Sequence, residues 1–364
     1  MRKKTLAIFS PNQNAYSETF IQAHKNLPFN IKFYYNGLLP NSLEGVGEII
    51  KNSRINRIRN RLNKNFSIPE QALINSIKKE KVDCVLAEYG QTGVHTLNIV
   101  KFLNLPLIVH FFGHDASMRT VIEEYGEKYK QVFEYAKYVL VVSQKMKQDI
   151  IELGCPEKKI VLTYCGPDNI FYNALPHFKT AQFLSIGRFV DKKAPYLTIA
   201  AFKMVVSKFP KARLIMVGDG VLLNTCRNLV RMWEIEGNVD FSGIRNPSEI
   251  FKLFEESLAF VQHSIIDDKN DSEGTPVAVL DAQAASLPVI STYHAGIADV
   301  IKNDETGLLV KEHDVEGMSK NMIRVLEEKG LAQNLGLAGR KRVLKYFSME
   351  IHLGILEKLI NESC

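Results

Sequence analysis

The sequence has few cysteines, and none of them forms a pattern. The 364 residues include five cysteines with no Cys-x-x-Cys pair and no metal-site spacing, so we expect no bound metal and no disulfide framework. Scattered thiols are typical of a reducing compartment, which predicts a cytoplasmic protein. No apolar run reaches the ~18 residues of a membrane-spanning helix. The apolar run near the N-terminus is too short for a signal peptide and is predicted to be a strand.

The composition is that of a folded globular protein. Hydrophobic residues make up 46% and charged residues 24% of the chain, which excludes a disordered chain. The length predicts two domains. Between residues 166 and 180 the hydrophobic periodicity is lost and two prolines occur, so we place the boundary there, with domains at 1–172 and from 173 onwards.

Short apolar runs alternate with helical segments along the first half of the chain. This alternation predicts an α/β fold with a parallel, doubly wound sheet that binds ligands at the carboxyl ends of its strands. The predicted strands are Thr5–Ser10, Ile31–Tyr35, Val82–Tyr89, Pro106–Phe111 and Tyr138–Ser143.

One segment, Lys51–Lys64, is strongly basic. It carries six cations and no acid, and Ile55, Ile58 and Leu62 recur at helical spacing. A basic amphipathic helix can bind an anionic membrane surface, at ~1 kcal/mol per well-placed cation. A solvated helix face is the alternative. Nucleic acid is not expected as a partner, because the segment has no aromatic residue and belongs to no nucleic-acid module.

The stretch from 271 to 296 has the pattern of a loop, a helix and a buried strand. Thr275 is predicted to cap the helix, with Pro276 at its first position. A helix N-terminus after a glycine-containing loop favours anions. Glu273 lies at the N-terminus of this predicted helix, and Asp281 follows about two turns later, so both carboxylates could share one face. A capped core helix with an acidic first turn is the alternative.

Two cations follow another predicted strand end. Arg188 and Lys193 come directly after Gln182–Gly187, where a guanidinium and an ammonium could bind a diphosphate. Two solvated cations are the alternative. The nearby Gly218 and Gly220 form a Gly-x-Gly pair, which is weak evidence for a dinucleotide site.

Together these motifs resemble those of family 4 glycosyltransferases, which have the GT-B fold. The family signature has two acids eight positions apart, which Glu273 and Asp281 match with a shortened second acid, and it continues as Ser286–Gly296 does here. Arg188 and Lys193 match the family's Gly-Arg-x-x-x-x-Lys motif. The resemblance extends over nearly the whole chain and is looser in the first domain. The chain is similar to glycosyltransferases of bacterial exopolysaccharide, colanic-acid and capsule synthesis.

The resemblance implies roles for individual residues. Glu273 is expected to contact the donor sugar and Asp281 the ribose. The remaining donor-binding residues implied by the resemblance are Arg188, Lys193, Gly274, Thr275, Val277 and Ile244. In the first domain, His110–Ser117 is similar to the family's Phe-His-Gly-x-Asp-x-Ser loop, which implies catalytic roles for Asp115 and His114. Phe112 replaces the family's histidine, and the flanking His110 and His114 are the candidates to take its place.

The fold that the resemblance implies has two Rossmann-like domains around a cleft. The first domain would include the C-terminal helix 347–364, and the second would comprise 173–346. The implied activity transfers a sugar from a UDP- or GDP-type donor to a glycan or polyprenyl-linked acceptor, with retention and without a metal or other cofactor. A cytoplasmic enzyme with a peripheral position at the inner membrane face would fit. A nucleotide-sugar epimerase and a non-catalytic membrane-bound scaffold remain as alternatives.

Overall fold

The computed structural model describes residues 2–16, 18–50 and 65–364, and it divides the chain into two compact α/β units. The first unit comprises residues up to Thr163 together with His352–Cys364, and the second comprises Tyr164–Ile351. The basic segment Lys51–Lys64 lies outside the described residues, so its predicted role stays a prediction. No helix in the described ranges is both long and apolar enough to cross a membrane.

The first unit is built on a sheet in the order β4-β3-β2-β1-β5-β6-β7-β8. Its strands are parallel except for β3 and β4, which extend one edge in antiparallel pairing. The strands are β1 (Thr5–Phe9), β2 (Asn30–Tyr35), β3 (Ser42–Leu43), β4 (Gly47–Glu48), β5 (Cys84–Glu88), β6 (Leu107–His110), β7 (Tyr138–Val141) and β8 (Ile160–Leu162). The helices before the second unit are α1 (Thr19–Ala23), α2 (Ile68–Glu80), α3 (Gly90–Phe102), α4 (His114–Ser117), α5 (Arg119–Tyr135) and α6 (Gln144–Glu152).

The second unit is built on a parallel sheet in the order β11-β10-β9-β12-β13-β14. Its strands are β9 (Gln182–Ile186), β10 (Arg213–Val217), β11 (Val239–Gly243), β12 (Ala259–Val261), β13 (Val289–Thr292) and β14 (Gly307–Val310). Its helices are α7 (Pro195–Lys208), α8 (Leu223–Met232), α9 (Pro247–Glu256), α10 (Val277–Ala284), α11 (Ala295–Val300), α12 (Val315–Glu327) and α13 (Leu331–Tyr346). The strand order reverses between β9 and β12, which defines a switch point where doubly wound sheets bind ligands.

Apolar runs explain why the strands form where they do. Every residue of β1, β5, β6, β13 and β14 is buried, as expected for parallel strands covered on both faces. The predicted α/β class with doubly wound parallel sheets is confirmed. The last helix, α14 (Met349–Ser363), begins two residues after the predicted start, and its residues from His352 onwards belong to the first unit.

Candidate functional site

The switch point of the second unit brings together the ends of β9, β10 and β12. A small pocket opens there, and its lining includes Gly187, Arg188, Lys193, Met216 and Gln262. The Arg188 side chain is exposed, and within the described part of the chain it makes no hydrogen bond or ion pair. The two predicted phosphate-binding cations therefore lie where the topology predicts a ligand.

Glycines allow the backbone segments at the switch point to lie close together. A Cβ on Gly218 would lie 2.0 Å from the Gly187 carbonyl oxygen, and one on Gly220 would lie 2.5 Å from that of Phe189. A Cβ on Gly187 would lie 2.8 Å from Cδ of Lys193. The Gly-x-Gly pair thus serves backbone packing under the loop that carries Arg188.

Two adjacent lysines connect this loop to the segment after β12. Lys192 Nζ donates to Asp271 Oδ1 at 3.0 Å and to the Ser272 carbonyl at 3.1 Å. Lys193 Nζ lies 2.9 Å from Glu273 Oε1. The segment that carries Glu273 is therefore held against the cation loop by two ion pairs. Lys192 was not predicted as a site residue.

The electrostatics of this segment keep Glu273 ionised. Its side chain is only 8% exposed, and this burial opposes ionisation. The ammonium groups of Lys193 and Lys192 outweigh the burial and hold the pKa of the Glu273 carboxyl at about 2. A permanent carboxylate beside a lysine is suited to a reaction in which cationic charge develops nearby.

A buried histidine fixes the backbone of Glu273. The Glu273 N–H donates to His294 Nε2 at 3.0 Å, so the ring proton resides on Nδ1 and is donated to Glu312 Oε1 at 2.6 Å. His294 is 2% exposed, and Glu312 also accepts the Ile266 N–H. The sequence did not predict this relay, although His294 lies within Ser286–Gly296, the segment that resembles the family signature.

The helix after this segment starts later than predicted. Helix α10 begins at Val277 with Pro276 as its N-cap, and no side chain caps it. The predicted cap at Thr275 and first position at Pro276 are therefore wrong by one residue. Glu273 precedes the helix, so the prediction that it shares a helical face with Asp281 is also wrong.

Asp281 makes a different contact from the one predicted, within the second unit. Its Oδ1 accepts the Asp168 N–H at 3.0 Å. Desolvation raises the pKa of the Asp281 carboxyl to about 8, so at neutral pH most of the population is protonated. One oxygen is thus engaged by the backbone, and the ribose contact stays a prediction.

The first turn of α11 packs directly on Gly274 and Thr275. The Gly296 N–H donates to the Gly274 carbonyl at 2.9 Å, and a Cβ on Gly296 would lie 2.2 Å from Thr275 Oγ1. Val277 is the first residue of α10, at the carboxyl edge of the sheet. Ile244 follows β11 and is 54% exposed. The predicted donor-binding residues therefore cluster at one edge, and their individual contacts with a donor stay predictions.

The predicted first-domain residues lie in the first unit. Asp115 is fully buried, and its carboxylate accepts the N–H groups of Gly90, Phe112 and Gly113 at 2.9–3.1 Å. His114 is partly exposed, with its ring 5.2 Å from that of Tyr89. Asp115 therefore shapes the loop that presents His114. His110 is fully buried, and its ring packs against Phe112 with centroids 4.1 Å apart.

Family models match both halves of the chain. Residues 21–169 match the model described as Glycosyltransferase Family 4, and residues 172–342 match the model described as Glycosyl transferases group 1. The two matches meet between residues 169 and 172, whereas the compact units divide after Thr163, so the predicted boundary at 172/173 stays a prediction.

Individual relatives are more distant. The chain is 26% identical over 247 residues to WcaL of Escherichia coli, a protein named for colanic acid biosynthesis. The matched residues make up 66% of this chain and 61% of WcaL. It is 24% identical over 287 residues to an Escherichia coli UDP-Gal:alpha-D-GlcNAc-diphosphoundecaprenol alpha-1,3-galactosyltransferase, covering 71% and 70% of the two chains.

The fold has well-matched solved relatives. HepE of Anabaena, solved in complex with UDP and glucose, superposes with a TM-score of 0.77 over 99% of this chain and 100% of its own, at 14% identity. This likeness shows the GT-B fold. With its family 4 and group 1 domains, the chain belongs to the glycosyltransferases.

Proposed function

We propose that this chain transfers a sugar from a nucleotide diphosphate sugar to an acceptor hydroxyl. The observation that supports this most is the pairing of Lys193 with Glu273 across the switch point, beside the exposed Arg188. Departure of a nucleoside diphosphate builds negative charge, which fixed cations stabilise without reorganisation. The Glu273 carboxylate lies beside Lys193 and would stabilise the positive charge that develops on the sugar.

In this proposal the donor competes for Lys193. The ammonium is paired with Glu273 in the structure, and the diphosphate would draw it away or share it. The backbone of Glu273 would stay in place during this exchange, because His294 and Lys192 hold its segment independently. The carboxylate would thereby be released towards the sugar only when a diphosphate is bound.

The finer parts of the proposal are the donor type, the stereochemistry and the acceptor. A UDP or GDP sugar, retention at the anomeric carbon and no metal follow from the family resemblance. A polysaccharide or polyprenyl-linked acceptor is supported by relatives whose names specify colanic acid and a diphosphoundecaprenol acceptor. The family matches favour a transferase over an epimerase or a scaffold.

A product assay tests the proposal. The protein is incubated with UDP and GDP sugars, with and without lipid-linked and oligosaccharide acceptors, and the products are resolved by mass spectrometry and NMR. A glycosylated acceptor with an anomeric configuration that matches the donor supports it. An isomerised free donor would instead identify an epimerase, and a protein that binds no nucleotide would be a scaffold.

A further inference from the structure

Four buried side chains that the proposed reaction does not use meet in the first unit. Glu88 and His110 are the last residues of β5 and β6, His24 lies in the helical turn after α1, and His352 lies in α14. Three of them have no solvent exposure, and His352 has 1%. They come from four separate segments, so no spacing along the chain indicates the cluster.

Most of the cluster is joined by hydrogen bonds. Glu88 Oε1 lies 2.6 Å from His24 Nδ1, and His24 Nε2 lies 2.8 Å from His352 Nε2. His352 Nδ1 in turn lies 2.8 Å from Thr163 Oγ1. When Glu88 is ionised, His24 Nδ1–H donates to it and His24 Nε2 accepts from His352 Nε2–H; the reverse arrangement requires a protonated Glu88.

His110 is the member that remains unsatisfied. Its Nδ1 lies 3.6 Å from Glu88 Oε2, which is too long for a hydrogen bond. Neither ring nitrogen of His110, nor Glu88 Oε2, has a hydrogen-bond partner among the described residues. Leaving such groups buried without partners is destabilising. Of these atoms, His110 Nδ1 and Glu88 Oε2 are close enough for one bridging ion to satisfy both.

We propose that His24, Glu88 and His110 form a binding site for a divalent transition-metal ion of the zinc class. One ligand atom from each of the three residues lies within 4.8 Å of the other two. In a tetrahedral zinc site with bonds of ~2.0–2.1 Å, ligand atoms lie roughly 3.3 Å apart. The Glu88 carboxylate is shared by the two rings, with His24 Nδ1 2.6 Å from Oε1 and His110 Nδ1 3.6 Å from Oε2.

The chemistry of the donors fits this class of ion. Two imidazoles and a carboxylate favour zinc and its first-row neighbours over magnesium or calcium, which prefer oxygen ligands. A neutral imidazole offers one nitrogen lone pair to such an ion, so His24 and His110 can each supply one ligand atom. A divalent ion would also compensate the buried Glu88 carboxylate.

The contacts around the cluster would orient the ligands. With the ion on His24 Nδ1, the Nε2–H of His24 donates to His352 Nε2, and the Nδ1–H of His352 donates to Thr163 Oγ1. A ligating histidine whose second nitrogen donates to a fixed partner is the usual arrangement around protein metals. The ion would thereby tie the turn after α1, the sheet and α14 together, which gives it a structural role apart from the switch point of the second unit.

Metal analysis tests the site. Protein purified without an affinity tag or chelator is expected to contain about one ion per chain by mass spectrometry, and removal by a chelator should lower the thermal midpoint until zinc is restored. Cobalt added to the metal-free protein should give the visible absorption bands of a four-coordinate site. These readouts need no donor or acceptor, so they are independent of the proposed function.

Matched variants locate the site. Glu88→Gln and His110→Gln are expected to weaken zinc binding at least tenfold, whereas His263→Gln, at a buried histidine of the second unit, should not change it. If chelator-treated wild-type protein takes up neither zinc nor cobalt and its thermal midpoint does not change, a buried water bridges the cluster instead and the proposal is overturned. This wild-type test stands even if the variants fail to fold.

Discussion

The ion pair between Glu273 and Lys193 predicts how the Glu273→Gln variant will behave. Glutamine keeps the shape of the side chain but removes the charge that pairs with Lys193 at 2.9 Å. Lowering a carboxyl pKa from 4.5 to about 2 corresponds to about 3 kcal/mol of preference for the ionised form. Because Glu273 is 8% exposed, little of this is screened by solvent, so we expect a loss of folding stability approaching ~3 kcal/mol at pH 7.

The pH dependence of this loss has a definite sign. A carboxyl whose pKa is depressed in the folded state contributes stability above its unfolded value, and that contribution disappears as the pH falls through about 2. The difference between wild type and Glu273→Gln should therefore be constant above about pH 5 and shrink on acidification. Urea denaturation of the isolated wild type and variant, at several pH values, measures it.

A matched control separates this pair from an ordinary surface ion pair. Glu327 pairs with Lys208 on the surface of the same unit, with both side chains about half exposed. Glu327→Gln should cost no more than ~1 kcal/mol. If Glu273→Gln costs no more than Glu327→Gln at pH 7, the Lys193 pair does not stabilise Glu273 as argued.

The same variant has a functional consequence. With its partner neutral, Lys193 becomes available to a diphosphate, so binding of the free nucleoside diphosphate should be unchanged or tighter. The turnover number should nevertheless fall, because the charge beside the developing cation is lost. Calorimetry and initial rates measure the two quantities, and a loss of nucleotide affinity with full turnover would refute the assigned role.

Three further predictions concern other parts of the chain. Asp281 has a raised pKa of about 8, so wild-type stability should fall as the pH rises from about 4 to about 8, while Asp281→Asn escapes that loss. Urea denaturation of both proteins at pH 5 and pH 8 checks this. The prediction is contradicted if the difference in stability between the two proteins is the same at both pH values. An asparagine at position 115 cannot accept three N–H groups as the carboxylate does, so Asp115→Asn should lose ~1–3 kcal/mol of stability. Its affinity for a nucleoside diphosphate should be unchanged. A weakened affinity with intact stability would instead show that Asp115 contacts the nucleotide. Wild-type protein should sediment with anionic vesicles, more weakly as the salt concentration rises, and neutralising the six cations of Lys51–Lys64 should abolish this binding. Equal sedimentation of the wild type and the neutralised variant would rule out the membrane role.

The strands and the cation loop could be predicted from the sequence because they depend on local signals. Apolar runs indicated the buried parallel strands, and strand ends indicated where Arg188 and Lys193 would lie. The start of α10 was misplaced by one residue, because a proline is compatible with both the N-cap and the first helical position. The shared face predicted for Glu273 and Asp281 was wrong for a different reason, because Glu273 lies before the helix and helical spacing does not apply to it.

The remaining features depend on contacts between distant segments. His294 is separated by 21 residues from Glu273, whose N–H it accepts, and it has no local signature of that role. Lys192 stands next to the predicted Lys193, and only the folded loop shows that both lysines hold the 271–273 segment. The cluster of His24, Glu88, His110 and His352 is assembled entirely by the sheet and α14, and no pattern in the sequence predicts it.

The claim that the switch point binds a nucleoside diphosphate is tested most directly by calorimetry with UDP and GDP. Arg188→Ala is compared with Arg213→Ala, which removes an exposed arginine from the opposite end of the neighbouring strand β10. We predict that one of the two nucleotides binds the wild type and Arg213→Ala equally, and that Arg188→Ala weakens its binding by ~2–4 kcal/mol. Equal affinity of all three proteins, or binding of neither nucleotide to the wild type, would contradict it.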